Sequence, residues 1–491
     1  MSKEESMAIH SEGVLRKEKE VGWIDRINKA NYVGGKLPMA DKIAYGLGDM
    51  ANNCIWAVIV NFLILFYTDV MLVPAAAVGI LMLVSRIWDA FNDPVIGFLS
   101  DNTETRIGKY KPWIIFGTVP LAILYVFTFW AHPQWSLNGR IVYMAVTYCI
   151  LVFSYTVVNI PWGALNAVMT PDTDERASLS GVRLFFSFGT NAIVTVAVIP
   201  MVSFLGKGSE VNGWLYTTMI LGALSIPLYL ICGIKCKEVV KPPETQKKVK
   251  MKELIKAATK NPPLLIVLAG IVVTGFMMYG RAAVYAYYFR YYAGNDGLLG
   301  IYALLFTGIT GISTLFVDKI QVKVGDKAKL YRIVLAIFAT LLFITYFIPV
   351  TSYPVLFWVI TAISGFVNGF VMVLTFSIIP DTAEYGEWKT GIRMDGFIYA
   401  LASFAQKFGM AIGTAGVGLV LGAAGYTANV EQAENVLTAI NFMMFILPAI
   451  LCLLAAILFF FYKLDRKTFN KIVAEIEERN KSNNRNKLGG E

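Results

Sequence analysis

The run Arg86-Ile87-Trp88-Asp89-Ala90-Phe91-Asn92-Asp93-Pro94 places charge inside a long apolar stretch. Spacings of three and four put Arg86, Asp89 and Asp93 on one helical stripe, with Asn92 at its flank. Two ionised carboxylates one turn apart repel, and a single Arg cannot satisfy both. A bound Na⁺ held by hard oxygens would compensate them, as would protonation of one acid. The alternative is a static ion-pair network in which Arg86 and Lys407 hold helices together. A charge at mid-bilayer costs on the order of 3 kcal/mol, so such residues must face a partner or a watery cavity and mark a substrate or ion pathway. Polar groups interleaved with aromatics recur at Asp49, Asn52, Asn53 and Trp56, and again at Tyr155, Thr156, Asn159 and Trp162. Hydroxyl partners beside ring faces suit a sugar; interhelical polar glue is the competing role. Arg183 and Lys407 are further intramembrane bases. Arg281, between Tyr279 and Tyr285, either snorkels to the interface or contacts an anionic or hydroxyl-rich ligand.

These residues need elements that hold them in a membrane. Of 491 residues, 56% are hydrophobic and only 16% charged, with a mean hydropathy of +0.58. Soluble proteins carry roughly 25% charged residues, so a multi-domain soluble protein is excluded. About 20 apolar residues of helix span a bilayer, and that criterion predicts twelve spans. They lie near 42–68, 74–100, 113–131, 141–167, 178–205, 214–234, 263–290, 298–317, 331–350, 355–379, 394–424 and 436–462. The expected fold is an all-α integral membrane bundle of two six-helix halves, 41–234 and 263–462. A tail of residues 1–40, a basic central loop of 235–262 and a tail of 463–491 flank them. The leader is expected to be a disordered tail, with an interfacial helix around Val21 to Ile27 as the alternative.

Charge placement predicts orientation. Alternate loops hold 20 Lys/Arg and the opposite loops three, Arg140, Lys207 and Arg290. The positive-inside rule therefore puts both termini and the central loop in the cytoplasm of a multi-pass cell-membrane protein. The net charge of +9 is then a topological signal, with no basic soluble domain to bind nucleic acid. Two His and five irregularly spaced Cys argue against a metal centre or disulfide framework. No nucleophile–base set appears, so the chain does not read as an enzyme, and no cofactor beyond a coupling ion is expected. The halves look like a repeat. Asp101 to Gly108 after span 2 is spaced as Asp318 to Gly325 after span 8, and Pro171-Asp172-Thr173 recurs as Pro380-Asp381-Thr382. Two parallel halves around a central site are the layout of alternating-access transporters.

At these residues the sequence resembles the glycoside–pentoside–hexuronide:cation symporters, the melibiose-permease-like branch of the major facilitator superfamily. The resemblance covers about residues 40–465. It rests on Tyr45 to Asp49, Tyr67-Thr68-Asp69, Arg86 to Pro94, Arg106 to Trp113, Asn159-Ile160-Pro161 and Asp381 to Glu387. It implies a cation site at Asp89 and Asp93, with Asn92 beside them and Thr156 contributing. It further implies a sugar-binding Arg at Arg183 and a coupling Lys at Lys407. Where the melibiose permease holds its galactoside with Asp on spans 1 and 4, this chain has Asn53 and Asn159, and Trp162 is followed by Gly163. That departure, together with Arg281, looks more like the glucuronide and xyloside members; losing two carboxylates while keeping cationic groups suits an anionic hexuronide, with a neutral pentoside as the alternative. The expected function is Na⁺- or H⁺-coupled symport of a glycoside, pentoside or hexuronide by a monomer. A lysolipid substrate and a non-transporting sugar sensor are the alternatives. Asp101, Arg106, Lys109 and Asp318 are expected to gate the inner mouth by charge pairing.

Overall fold

The computed structural model describes residues 37–170, 173–239, 251–391 and 395–464, with most of 466–479. The leader before residue 37, including Val21 to Ile27, lies outside the described residues, as do Pro171 and Asp172 of the repeated Pro-Asp-Thr.

The described elements are all helical. Among the described residues, eleven helices are long and apolar enough to cross a membrane. The remaining expected span, span 2, is one helix over Ala75–Asp101, which includes the apolar stretch Ala75–Arg86. In the first half, span 1 is Met39–Leu65, span 3 Lys111–Thr128, span 4 Leu137–Met169, span 5 Thr173–Gly206 and span 6 Glu210–Lys235. In the second half, span 7 is Pro262–Tyr287, span 8 Gly297–Thr314, span 9 Lys327–Tyr346, span 10 Pro354–Ser377 and span 11 Asp395–Ala423. Span 12 runs from Glu434 to Leu458. Proline opens spans 3, 7 and 10, where its missing N–H costs no helical bond. Short helices at Met251–Thr259, Val317–Val324 and Ile379–Thr390 occupy stretches that the sequence reading treats as loop.

Three spans contain a π-turn, at Phe66–Val70, Tyr288–Tyr292 and Phe442–Ile446. The first two end spans 1 and 7, corresponding members of the two halves. The repeated Asp-to-Gly segments also agree locally, since Gly108 and Gly325 both have positive φ, 131° and 76°, a conformation open chiefly to glycine. The Glu238 carboxylate accepts from the backbone N–H groups of Lys109, Tyr110 and Lys111 at 2.7–3.1 Å, fixing the first of these turns against the end of span 6.

The halves meet along spans 2 and 11, 5 and 8, and 1 and 7. At the face away from the termini they are bolted together. Asp69 of span 1 accepts from the hydroxyls of Tyr291 and Tyr426, and Thr68 shares a 2.8 Å hydrogen bond with Tyr287. Asn429 donates to the Asp69 carbonyl at 2.7 Å. Arg290 pairs with Glu210 at 2.8 Å and lies 3.7 Å from Asp69. Nearby, Gly418 packs so closely on span 2 that a Cβ there would lie 2.6 Å from the Ala75 carbonyl oxygen and 2.8 Å from Gly79 Cα. On the face carrying the basic loops, the described ion pairs stay within one half, as in Lys42–Glu175 and Lys327–Asp381.

Candidate functional site

Between the halves lies a cavity of about 500 Å³, within the range that takes small-molecule ligands. Six spans reach it with charged or amide groups because their polar stripes can be solvated nowhere else in the bilayer. Its charged lining residues are Asp49, Arg86, Asp89, Asp93, Arg183 and Lys407, and they form three pairs. Arg86 Nη1 binds Asp89 at 2.8 Å, with both side chains under 8% exposed, and Arg86 Nη2 donates to the Tyr148 hydroxyl at 3.3 Å. Arg183 Nε binds Asp49 at 3.0 Å while its guanidinium lies 4.4 Å from the Trp162 ring centre. Lys407 of span 11 binds Asp93 of span 2, and Thr156 of span 4 donates to Asp93 at 3.3 Å.

The last pair differs from the other two. Asp49–Arg183 and Asp89–Arg86 each lie within the first half, whereas Asp93–Lys407 crosses between halves at mid-span. Its acid is also wetter, Asp93 being 21% exposed against 6% for Asp89 and 3% for Asp49. Asp93 is therefore the most accessible of the three acids, with the Thr156 hydroxyl beside it. Asp89, already charge-paired in a dry setting, is the stiffer of the two acids.

The rest of the lining suits a polyol. Trp56 and Tyr155 stack at 4.6 Å on the cavity wall, with Asn159, Asn191, Asn368 and Gln406 around it. Asn53 Nδ2 donates to Ser187 Oγ at 3.0 Å and to the Asp49 carbonyl at 2.9 Å, so its amide is held in place with the Asp49–Arg183 pair.

The cavity thus gathers Asp89, Asp93, Thr156, Asn53, Asn159, Arg183 and Lys407 from their scattered sequence positions. Three expected site residues lie elsewhere. Asn92 is buried beside the stripe, its Nδ2 without a hydrogen-bond partner. Trp162, 1% exposed, packs behind the wall against Tyr45 and supports Arg183 without facing the cavity. Arg281 neither lines the cavity nor snorkels. It is 4% exposed and packed among Phe306, Tyr285, Tyr302 and Phe338. Of the expected gate, Arg106 is exposed and Lys109 lies over the Tyr110 ring; the Asp101 and Asp318 side chains lie outside the described residues. Sequence reasoning left out Ser187, Asn191, Thr310, Asn368 and Gln406. Each sits in a mostly apolar helix, and only the facing of that helix separates a site residue from interhelical glue.

A helical bundle spanning the membrane, split into two halves around a polar cavity and bolted at one end, is a transporter of the alternating-access type. The family model for MFS/sugar transport proteins matches residues 44–466, and the chain belongs to that family. Similar curated proteins include an uncharacterised symporter, YnaJ, of Bacillus subtilis, 34% identical over 91% of this chain and 96% of that protein. A glucuronide carrier protein homologue of Escherichia coli is 33% identical over 89% and 95%. An isoprimeverose transporter of Lactiplantibacillus pentosus is 31% identical over 91% and 93%. Among solved structures, a D-xylose–proton symporter superposes with a TM-score of 0.64, covering 88% of this chain and 99% of that one at 12% identity. These relatives are transporters, and the protein is not an enzyme.

Proposed function

We propose that the protein carries a glycoside, pentoside or hexuronide into the cell together with Na⁺ or H⁺, by alternating access. The observation that carries this reading is the Asp93–Lys407 pair, a mid-membrane ion pair that joins the two halves and has a hydroxyl, Thr156, at its side. A cation arriving at Asp93 competes with Lys407. Once displaced, the ammonium of span 11 is free to donate to sugar hydroxyls in the cavity, while Trp56 and Tyr155 offer a ring face to the sugar's C–H surface. Cation and sugar thus promote one another's binding through one shared residue pair, which is what coupling requires. The symporter and sugar-carrier names of relatives aligned over nine-tenths of the chain support the same reading.

The basic loops face the cytoplasm, by the positive-inside rule, so both termini are cytoplasmic and the bolted face is outer. The described conformation is then closed to the outside. A membrane potential contributes about 2.3 kcal/mol per charge per 100 mV, enough to concentrate a neutral sugar roughly fiftyfold at that voltage. The Asp93→Asn variant in proteoliposomes tests the reading. Downhill sugar equilibration should survive in part while Na⁺- or H⁺-driven accumulation disappears; undiminished accumulation would overturn it.

A further inference from the structure

Among the described residues, the six charges lining the cavity cancel in three pairs. Arg281 stands just behind that lining and has no carboxylate of the described residues within 4.0 Å. Its Nε donates to the Met444 carbonyl in the π-turn of span 12 at 3.1 Å. Its guanidinium carbon is 4.7 Å from the ring centre of Phe306 and 5.6 Å from that of Tyr285, and both rings belong to the cavity wall. One aromatic layer therefore separates a permanent positive charge from the ligand space. Ring quadrupoles and a carbonyl dipole stabilise a guanidinium without neutralising it, and arginine does not discharge by losing a proton. In an apolar wall its field is weakly screened.

Loading makes the imbalance larger. A coupling cation on Asp93 cancels that carboxylate and leaves the Lys407 ammonium unpaired. With a neutral sugar the loaded cavity holds that charge plus the Arg281 field; with a sugar carboxylate, one positive charge is compensated. Resting on the symport reading above, we propose that Arg281, acting through the Phe306–Tyr285 wall, sets the specificity of the cavity for sugars that bear one carboxylate, hexuronates and their glycosides. Arg281 is on this account a positioning residue for charge and touches no substrate. A purely structural role, pinning the span 12 π-turn through Met444, would affect charged and neutral sugars alike.

The test compares methyl β-D-glucuronide with methyl β-D-glucoside, which share a ring and differ at the C6 carboxylate. Initial rates are measured in proteoliposomes under an imposed cation gradient for the wild type, Arg281→Met and Arg281→Lys. The wild type should favour the glucuronide by roughly tenfold in kcat/KM. Arg281→Met should cut that ratio about fivefold, and Arg281→Lys, which keeps the charge but not the Nε geometry, should retain most of it. A wild-type preference for the glucoside overturns the proposal whether or not the Met variant folds, as does a Met variant with the wild-type ratio. Cation-driven uptake that favours the neutral sugar sinks this inference alone, as does uptake of neither sugar while a xyloside or galactoside is still driven by the cation gradient; no cation-driven uptake of any of these sugars sinks the symport reading with it.

Discussion

The bolt at the face away from the basic loops, which is the outer face on the orientation proposed above, makes a quantitative prediction about which conformation the protein prefers. The Asp69 side chain is fully buried and binds Thr68 Oγ1 at 2.6 Å as well as the hydroxyls of Tyr291 and Tyr426 across the interface. Hydrogen bonds to a charged group contribute about 1.5–3 kcal/mol each. Two of them cross between the halves, and Arg290 adds a longer-range attraction. Replacement by Ala also relieves the cost of burying a carboxylate, so the lower end of the range applies, about 3 kcal/mol in all. That is a shift of more than a hundredfold in the equilibrium between the outer-closed and outer-open forms. Within the first half only the Thr68 hydrogen bond is lost, and Thr68 keeps the Leu65 carbonyl as a partner, so the protein should fold. The assay is a spin-label distance between Leu72→Cys and Val430→Cys, two exposed positions (44% and 50%) on opposite halves at the outer end, in a background lacking the five native cysteines. The unsubstituted protein should give one short distance, Asp69→Ala a dominant longer one, and Asp69→Asn an intermediate mixture. A folded Asp69→Ala protein with the wild-type distance distribution would refute the reasoning.

Other consequences are sharper in sign than in size. Lys407→Gln removes the competitor for Asp93, so calorimetry should show about tenfold tighter cation binding while coupled sugar uptake is lost; weakened cation binding would contradict the exchange mechanism. Gly418→Leu obstructs a contact that exists only when the outer end is closed, so it should leave the protein folded, open the outer distance and stop uptake. By contrast, a Cβ at Gly369 would meet Ser313 Oγ at 1.8 Å and the Thr310 carbonyl at 2.6 Å inside one half; Gly369→Ala should cost about 1–3 kcal/mol and lower Tm without biasing either conformation. Burial pushes the Asp296 carboxyl above its ordinary range, Glu210 and Asp69 push it further, and Arg290 opposes them. The closed form therefore holds its proton more tightly than a hydrated open form. Closure should strengthen as the outer pH falls from above the raised value toward the ordinary carboxylate range near 4, and the same label pair would detect a change of opposite sign.

The architecture was largely legible in one dimension, because a bilayer demands apolar helix and leaves few places for charge. Arg86, Asp89 and Asp93 announced themselves by costing energy wherever they did not face a cavity. Their partners were less legible. That Asp93 would meet Lys407, 314 residues later, and Asp49 would meet Arg183 depends on how helices face one another, which hydropathy does not encode. Arg281 shows the same gap from the other side. Its neighbours Tyr279 and Tyr285 suggested an interface or a ligand, yet the rotation of span 7 turns it into an aromatic nest behind the wall. Trp162 faces away from the cavity for a related reason, since three residues after Asn159 is far enough round a helix for burial to change. The π-turns left no mark in the sequence pattern, because one extra residue in a turn disturbs an apolar periodicity less than the uncertainty in any span boundary.

Those turns carry a consequence for the closing device. Asp69 is the fourth residue of the turn ending span 1, and Tyr291 is the fourth of the turn ending span 7. Two halves related by a two-fold axis bring equivalent positions face to face, as in a self-complementary dimer. Were the two turns identical in sequence, an acid at that position would confront its own copy and hold that mouth apart. Asymmetry between Asp69 and Tyr291 is itself what allows one end of this transporter to stay shut.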